Sequence, residues 1–352
     1  RHMHGGTGAA AYHRRLIMRL KWNPSLRGRS LLTLLDVTDD EMLDLINLAV
    51  ALKARRQAGI RGNLLLRRQF ALIFEKSSTR TRCAAAVAAR EEGGASEYLA
   101  RSDIHLGLKE SVADTARVLG RMFDGILFRG FSQQVVEGLA RYSGVPVWNG
   151  LTDSYHPTQV LADLMTMQEN FGRLRGLTLA FVGDGRNNVA NTLMIGCAKA
   201  GVNFVNVTPP ELMPSAELVE QTRAIAARNG ASITIGHDPV ADVRGANALY
   251  TDVWVSMGEE EQKASRMALL SPYQVNARLV EATGNRDNGL IFLHCLPAFH
   301  DDQTTITSET GALEVSDEVF EAPYSKVFDH AENRMHTIKA LMVSALADPE
   351  KA

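Results

Sequence analysis

Short apolar runs alternate with segments of helical period along almost the whole chain, and this rhythm restricts it to a parallel α/β architecture. Runs at 69–74, 95–99, 124–128 and 145–148 read as strands, with helical stretches near 80–91, 110–122, 132–143 and 157–171. Ahead of them Thr38-Asp39-Asp40-Glu41 fits a capping box. Met42, Leu45, Ile46, Ala49 and Leu52 then recur at helical spacing, so a helix runs to about Arg56 and ends at Gly59 and Gly62. The rhythm breaks at Phe171-Gly172-Arg173-Leu174-Arg175-Gly176. It restarts with strand 178–182 and helix 189–200, and continues through strands near 203–207, 232–235, 248–250 and 290–293.

The expected fold class is therefore α/β, with two doubly wound parallel-sheet domains at 26–171 and 172–331. A length of 352 residues agrees, being too great for one ordinary core. Residues 1–25 read as a tag or disordered leader. The stretch 1–35 holds Arg1, Arg14, Arg15, Arg19, Lys21, Arg27 and Arg29 but no acid, yet its opening Arg1-His2-Met3-His4-Gly5-Gly6 resembles an expression tag more than a transit peptide.

A formal charge of −2 argues against a nucleic-acid partner, so local basic clusters must serve small anions. Cys83, Cys197 and Cys295 are odd in number and widely spaced, which offers no disulfide framework and suits the reducing cytoplasm. No run reaches the roughly 18 apolar residues of a membrane span.

In open parallel sheets, ligands bind beyond the carboxyl ends of the strands. Those ends carry the unusual residues of this chain. After the strand 69–74 comes Lys76-Ser77-Ser78-Thr79-Arg80-Thr81-Arg82, at the N-terminus of an alanine-rich helix. Free amides, hydroxyls and two guanidinium groups there suit a phosphate or carboxylate. The plainer reading is an N-cap serine beside solvated arginines. The glycines and Gly-Lys-Ser/Thr ending of a nucleotide P-loop are missing.

Other strand ends lead into Arg129-Gly130, His156-Pro157-Thr158-Gln159, Asn187-Asn188, Asp252 with Ser256, and His294-Cys295-Leu296-Pro297. Two such edges facing each other would make one interdomain cleft. Gly183-Asp184-Gly185-Arg186-Asn187-Asn188 invites a dinucleotide reading, but Asn188 stands where the fingerprint needs glycine or alanine. The asparagine amides suit a carboxylate- or amine-bearing small molecule instead. His294, Cys295 and His300 can be read as zinc ligands, though no second cysteine pair accompanies them. Cys295 can equally be a thiol nucleophile or a small buried hydrophobe. Asp252 is either a turn residue or, opposite an anion site, a carboxylate for an ammonium group.

Together these segments resemble the carbamoyltransferases, and more narrowly the ornithine carbamoyltransferases, from about Leu31 to Ala347. The resemblance is carried by Phe74-Glu75-Lys76-Ser77-Ser78-Thr79-Arg80-Thr81-Arg82, Asp103-Ile104-His105-Leu106-Gly107, Phe128-Arg129-Gly130, His156-Pro157-Thr158-Gln159, Asp252-Val253-Trp254-Val255-Ser256-Met257-Gly258 and His294-Cys295-Leu296-Pro297. It implies a homotrimer with shared active sites, acting on carbamoyl phosphate and L-ornithine without metal or other cofactor. It also implies a C-terminal helix, 332–348, returning to the carbamoyl phosphate domain.

By the same resemblance, Ser78, Thr79, Arg80 and Thr81 bind the phosphate, joined by His105 of a neighbouring subunit, a position where many bacterial members carry glutamine. Arg129, His156 and Gln159 hold the carbamoyl group. Cys295, Leu296 and Arg334 complete that pocket, while Asn188, Asp252, Ser256 and Met257 hold ornithine. Arg129, His156, Thr81 and Cys295 are the expected catalytic set. Rival readings are another acceptor such as putrescine or an acetylated ornithine, an NAD-dependent dehydrogenase, and a non-catalytic binding protein.

Overall fold

The computed structural model describes residues 20–256 and 259–348. By contacts the chain forms two units, Arg1–Thr152 with Glu332–Ala352, and Asp153–Ala331.

The first unit contains α1 (Asp39–Gln57), β1 (Gln69–Phe74), α2 (Arg80–Glu91), β2 (Ala95–Ala100), α3 (Val112–Met122), β3 (Gly125–Arg129), α4 (Gln133–Ser143) and β4 (Val147–Leu151). Its strands pair in parallel in the order β2-β1-β3-β4. Ala71, Ile73, Ile126, Phe128 and Val147 on the sheet meet Ala116 of α3 and Val136 and Leu139 of α4 in one buried cluster. The alternate residues Phe70, Leu72 and Phe74 are buried too, so the strand is apolar on both faces, as a doubly covered parallel strand must be. Ala84, Ala85, Ala88 and Ala89 give α2 a low-profile buried face.

The second unit contains α5 (Pro157–Phe171), β5 (Thr178–Val182), α6 (Asn188–Ala200), β6 (Asn203–Val207), α7 (Ala216–Arg228), β7 (Ile233–Gly236), α8 (Pro239–Asp242), β8 (Ala248–Thr251), α9 (Lys263–Leu270), α10 (Ala277–Ala282), β9 (Ile291–His294) and α11 (Asp317–Phe320). Its parallel sheet runs β7-β6-β5-β8-β9. The last helix, α12 (Val327–Leu346), starts in this unit and continues into the residues grouped with the first.

Several boundaries differ from the sequence expectation. β4 begins at Val147 rather than 145, because Pro146 has no N–H for the ladder. It continues through Asn149 and Gly150 to Leu151, whose partner is Arg129. α3 begins at Val112, after Ser111 accepts the Asp114 N–H at 3.0 Å. α12 opens at Val327 instead of 332, since Val327 and His330 are buried and anchor its first turn. Contacts group α5 with the second unit, whereas the glycine-rich break at 171–176 had placed it with the first.

Residues 1–19 of the expected leader lie outside the described residues. Its end is packed on the first unit. Leu20 is buried, Asn23 donates to Asp44 at 3.1 Å and Ser25 donates to Glu41 at 2.6 Å. No helix among the described residues is long and apolar enough to cross a membrane.

Candidate active site

In each sheet the strand order reverses beside the first strand, between β1 and β3 and again between β5 and β8. Loops leaving such neighbouring strands diverge to opposite faces and leave a crevice at their carboxyl ends. Within each unit the topology thus explains why the marked segments gather at one edge of its sheet.

In the first unit the crevice is lined by the loop after β1 and the end of β3. Ser78 Oγ accepts the Thr81 N–H at 3.1 Å, so the plainer capping role is also present. Thr79 occupies the N-cap position of α2 without a side-chain cap bond and is exposed, and Arg80 is half-buried. Thr81 is fully buried, and its Oγ1 accepts from Arg129 Nη1 at 3.4 Å and Arg334 Nη2 at 2.6 Å. With both lone pairs engaged by guanidinium groups, the hydroxyl still has its proton to donate.

Gly130 makes this packing possible. A Cβ there would lie 2.1 Å from Glu75 Oε1 and 2.4 Å from the Phe128 ring. Arg82 turns elsewhere, its guanidinium 3.6 Å from the centre of the Tyr98 ring. His105 is exposed, in the turn between β2 and α3.

In the second unit the equivalent crevice gathers the loops after β5, β8 and β9. Asn187 caps α6 by accepting the Ala190 N–H at 2.7 Å, and its amide donates to Asp252 Oδ2 at 3.0 Å. The neighbour Asn188, singled out from sequence, is half-buried in the first turn, and its carbonyl accepts from Thr192 Oγ1 at 2.7 Å. Cys295 Sγ donates to Asp252 Oδ1 at 3.0 Å, and the Val253 N–H donates to the same oxygen at 2.8 Å. This bond ties the thiol to the loop after β8, a packing role for Cys295. Burial pushes the Asp252 carboxyl above its ordinary range, although the Cys295 thiol and Val253 N–H oppose the shift.

Ser256 is half-buried and its N–H donates to Glu259 at 3.3 Å; Met257 lies outside the described residues. Arg266, itself buried, bonds Asp184 and also Glu259 at 3.2 Å. The carboxylate in the glycine-rich loop is therefore an anchor for that loop. Gly185 lets the loop sit tightly, since a Cβ would approach Asn206 Oδ1 to 2.5 Å.

His156 and Gln159, at the start of α5, are almost fully buried. Thr192 accepts the His156 N–H at 2.9 Å, and Gln159 Nε2 donates to Asp163 Oδ1 at 2.9 Å. His294 Nδ1 accepts the Leu296 N–H at 2.9 Å, while its Nε2 meets Glu314 Oε1 at 2.8 Å. That pairing holds the turn in which Leu296 takes a φ of 59°, a left-handed conformation for a branched residue.

Thr192, Asp163, Glu314 and His330 were missed by the sequence reading, which named Asn187 only together with Asn188. The only local signal was the four-residue spacing of Gln159 and Asp163 on one helix face.

Among the described residues two groups bring potential metal donors within 4.8 Å, Asp252 with His294 and Cys295, and His300 with Asp301 and Asp317. In the first, the donor atoms already serve one another, Glu314 and Leu296. In the second, His300 Nδ1 meets Asp317 at 2.7 Å and the ring stacks on Phe320.

Residues 29–169 match the family model for the carbamoyl-P binding domain of aspartate/ornithine carbamoyltransferase, and 175–345 match that for its Asp/Orn binding domain. The catabolic ornithine carbamoyltransferase of Bacillus licheniformis is 54% identical over 330 residues, covering 92% of this chain and 98% of that protein. The catabolic ornithine carbamoyltransferase of Streptococcus gordonii is 54% identical over 332 residues, 93% of this chain and 98% of that one. The solved ornithine carbamoyltransferase from Pyrococcus furiosus superposes with a TM-score of 0.85 at 40% identity, over 91% of this chain and 98% of the other.

Proposed function

The chain belongs to the aspartate/ornithine carbamoyltransferase family, and from that premise we propose that it transfers the carbamoyl group of carbamoyl phosphate to the δ-amine of L-ornithine, giving L-citrulline and phosphate. The observation that carries the reading is Thr81 held between Arg129 and Arg334 at the mouth of the first sheet. The names and high identity of the relatives support ornithine as the acceptor.

The neutral δ-amine attacks the carbamoyl carbon, and negative charge grows on the carbonyl oxygen. The C–O bond to phosphate then breaks from the tetrahedral intermediate. Arg129, His156 and the Thr81 hydroxyl donate to that oxygen. Donors of this kind, fixed before the charge develops, cost no reorganisation during the reaction. Ser78, Thr79, Arg80 and the first turn of α2 receive the leaving phosphate, with His105 supplied by a neighbouring subunit. Phosphate itself takes the proton released by the amine. Gln159, Cys295, Leu296 and Arg334 orient the carbamoyl group.

Asp252 holds the α-amino group of ornithine, with Asn188, Ser256 and Met257 beside it. A buried carboxylate whose ionisation is opposed by burial gains from an ammonium partner, which supports this role.

A cytoplasmic homotrimer is part of the same proposal. Leu108, Val118 and Met122 expose 74%, 47% and 68% of their surface close in sequence to His105, which supports a subunit contact there. Three free cysteines suit a reducing compartment.

The test is stoichiometry. The purified protein given carbamoyl phosphate and L-ornithine should release citrulline and phosphate in equal amounts. Phosphate release without citrulline would contradict transfer to ornithine.

A further inference from the structure

His330 belongs to none of the substrate-contacting sets, yet it is fully buried between Asp163, which holds Gln159, and the residue before Cys295 and Leu296. Its Nδ1 lies 2.7 Å from Asp163 Oδ1, the oxygen that also accepts from Gln159 Nε2. Its Nε2 bonds the backbone carbonyl of His294, the residue before Cys295 and Leu296. The ring thus bridges a carboxylate and a backbone carbonyl through its two nitrogens. The Tyr250 ring packs edge-on, its centroid 6.2 Å from that of His330. Burial, then the charge of Asp163, pushes the Tyr250 phenol well above its ordinary range, so it stays neutral there.

This arrangement has a chemical consequence at Gln159. The amide of Gln159 is oriented by its bond to Asp163, which engages one of the two N–H donors of its NH2 and leaves Oε1 as the acceptor end facing away from that carboxylate. That oxygen is buried with no hydrogen-bond partner among the described residues. An acceptor aimed into a site suits the NH2 of a carbamoyl group, and an amide flip would present a donor instead.

Resting on the function proposed above, we propose that His330 is a positioning residue for the carbamoyl group. It holds Asp163 so that Gln159 presents its oxygen, and it holds the His294 carbonyl so that the Cys295-Leu296 turn keeps its place. It acts through these neighbours on the carbamoyl end of the substrate and leaves the phosphate end alone.

Three variants test this. His330→Leu removes both bonds. His330→Gln keeps a donor for at least one acceptor. The double variant Asp163→Asn with His330→Leu keeps an acceptor for Gln159 and removes the buried unpaired charge, so it remains informative where the single variant fails to fold.

With wild-type citrulline formation as the control, His330→Leu and the double variant should raise KM for carbamoyl phosphate by about tenfold. Inhibition by inorganic phosphate should be unchanged, and His330→Gln should recover most of the loss. Wild-type KM in the folded double variant would overturn the positioning role, leaving His330 as no more than a neutraliser of Asp163. Parallel weakening of phosphate inhibition would overturn it as well. Absence of citrulline from the wild type would instead refute the underlying function.

Discussion

At the scale of single residues, the proposed chemistry rests on Arg129 and Thr81. Losing one donor to a developing oxyanion costs about 3 kcal/mol, or roughly two orders of magnitude in rate. Arg129→Ala should therefore lower kcat by about that factor while the thermal midpoint moves little. Near-normal turnover would refute the oxyanion role. His336 gives a second residue-level expectation, on stability. Burial holds its pKa at about 4, below the usual 6.5, with the bond to Glu332 opposing the shift. The unfolded chain thus takes up a proton below pH 6.5 that the folded chain refuses until about pH 4. The stabilisation is complete above 6.5 and is lost as pH falls through this window, by about 3 kcal/mol at most. His336→Gln should flatten the fall of the thermal midpoint between pH 6.5 and 4 relative to the wild type; identical slopes would contradict the assignment.

At the scale of elements, the strands were legible because a doubly covered parallel strand is a continuous apolar run, and Gln69–Phe74 and Thr178–Val182 fall where the sequence put them. The ends of those strands were legible for the same reason, so the loops bearing Thr81, Arg129, Asp252 and Cys295 could be named. What stayed hidden came from distant segments with no local signature. Asp163 meets His330, and Glu314 meets His294, through folding alone, and α7 and α9 were not anticipated. Asp184 is the instructive case, because its place in a glycine-rich loop suggested a nucleotide, while its carboxylate is an ion-pair partner of buried Arg266. Breaking one side of such a pair leaves a buried charge and costs about 3–5 kcal/mol. Asp184→Ala should lose roughly that much in urea unfolding, reduced by the remaining Glu259 contact at 3.2 Å, and a change near zero would contradict the anchoring role.

At the scale of the whole molecule, the proposed trimer would cover the exposed Leu108, Val118 and Met122 of the first unit. Met122→Glu should lower the sedimentation coefficient toward that of a monomer and lower activity with it, because His105 would no longer reach a neighbouring site. A fully active monomer would contradict shared sites. The central claim is transfer to ornithine, and it is tested most directly by comparing kcat/KM for L-ornithine, putrescine, L-aspartate and N-acetyl-ornithine as acceptors of the carbamoyl group. The account predicts a strong preference for L-ornithine, abolished in Asp252→Asn; equal or better use of putrescine, which has no α-carboxylate, would contradict the assignment of the second unit's loops.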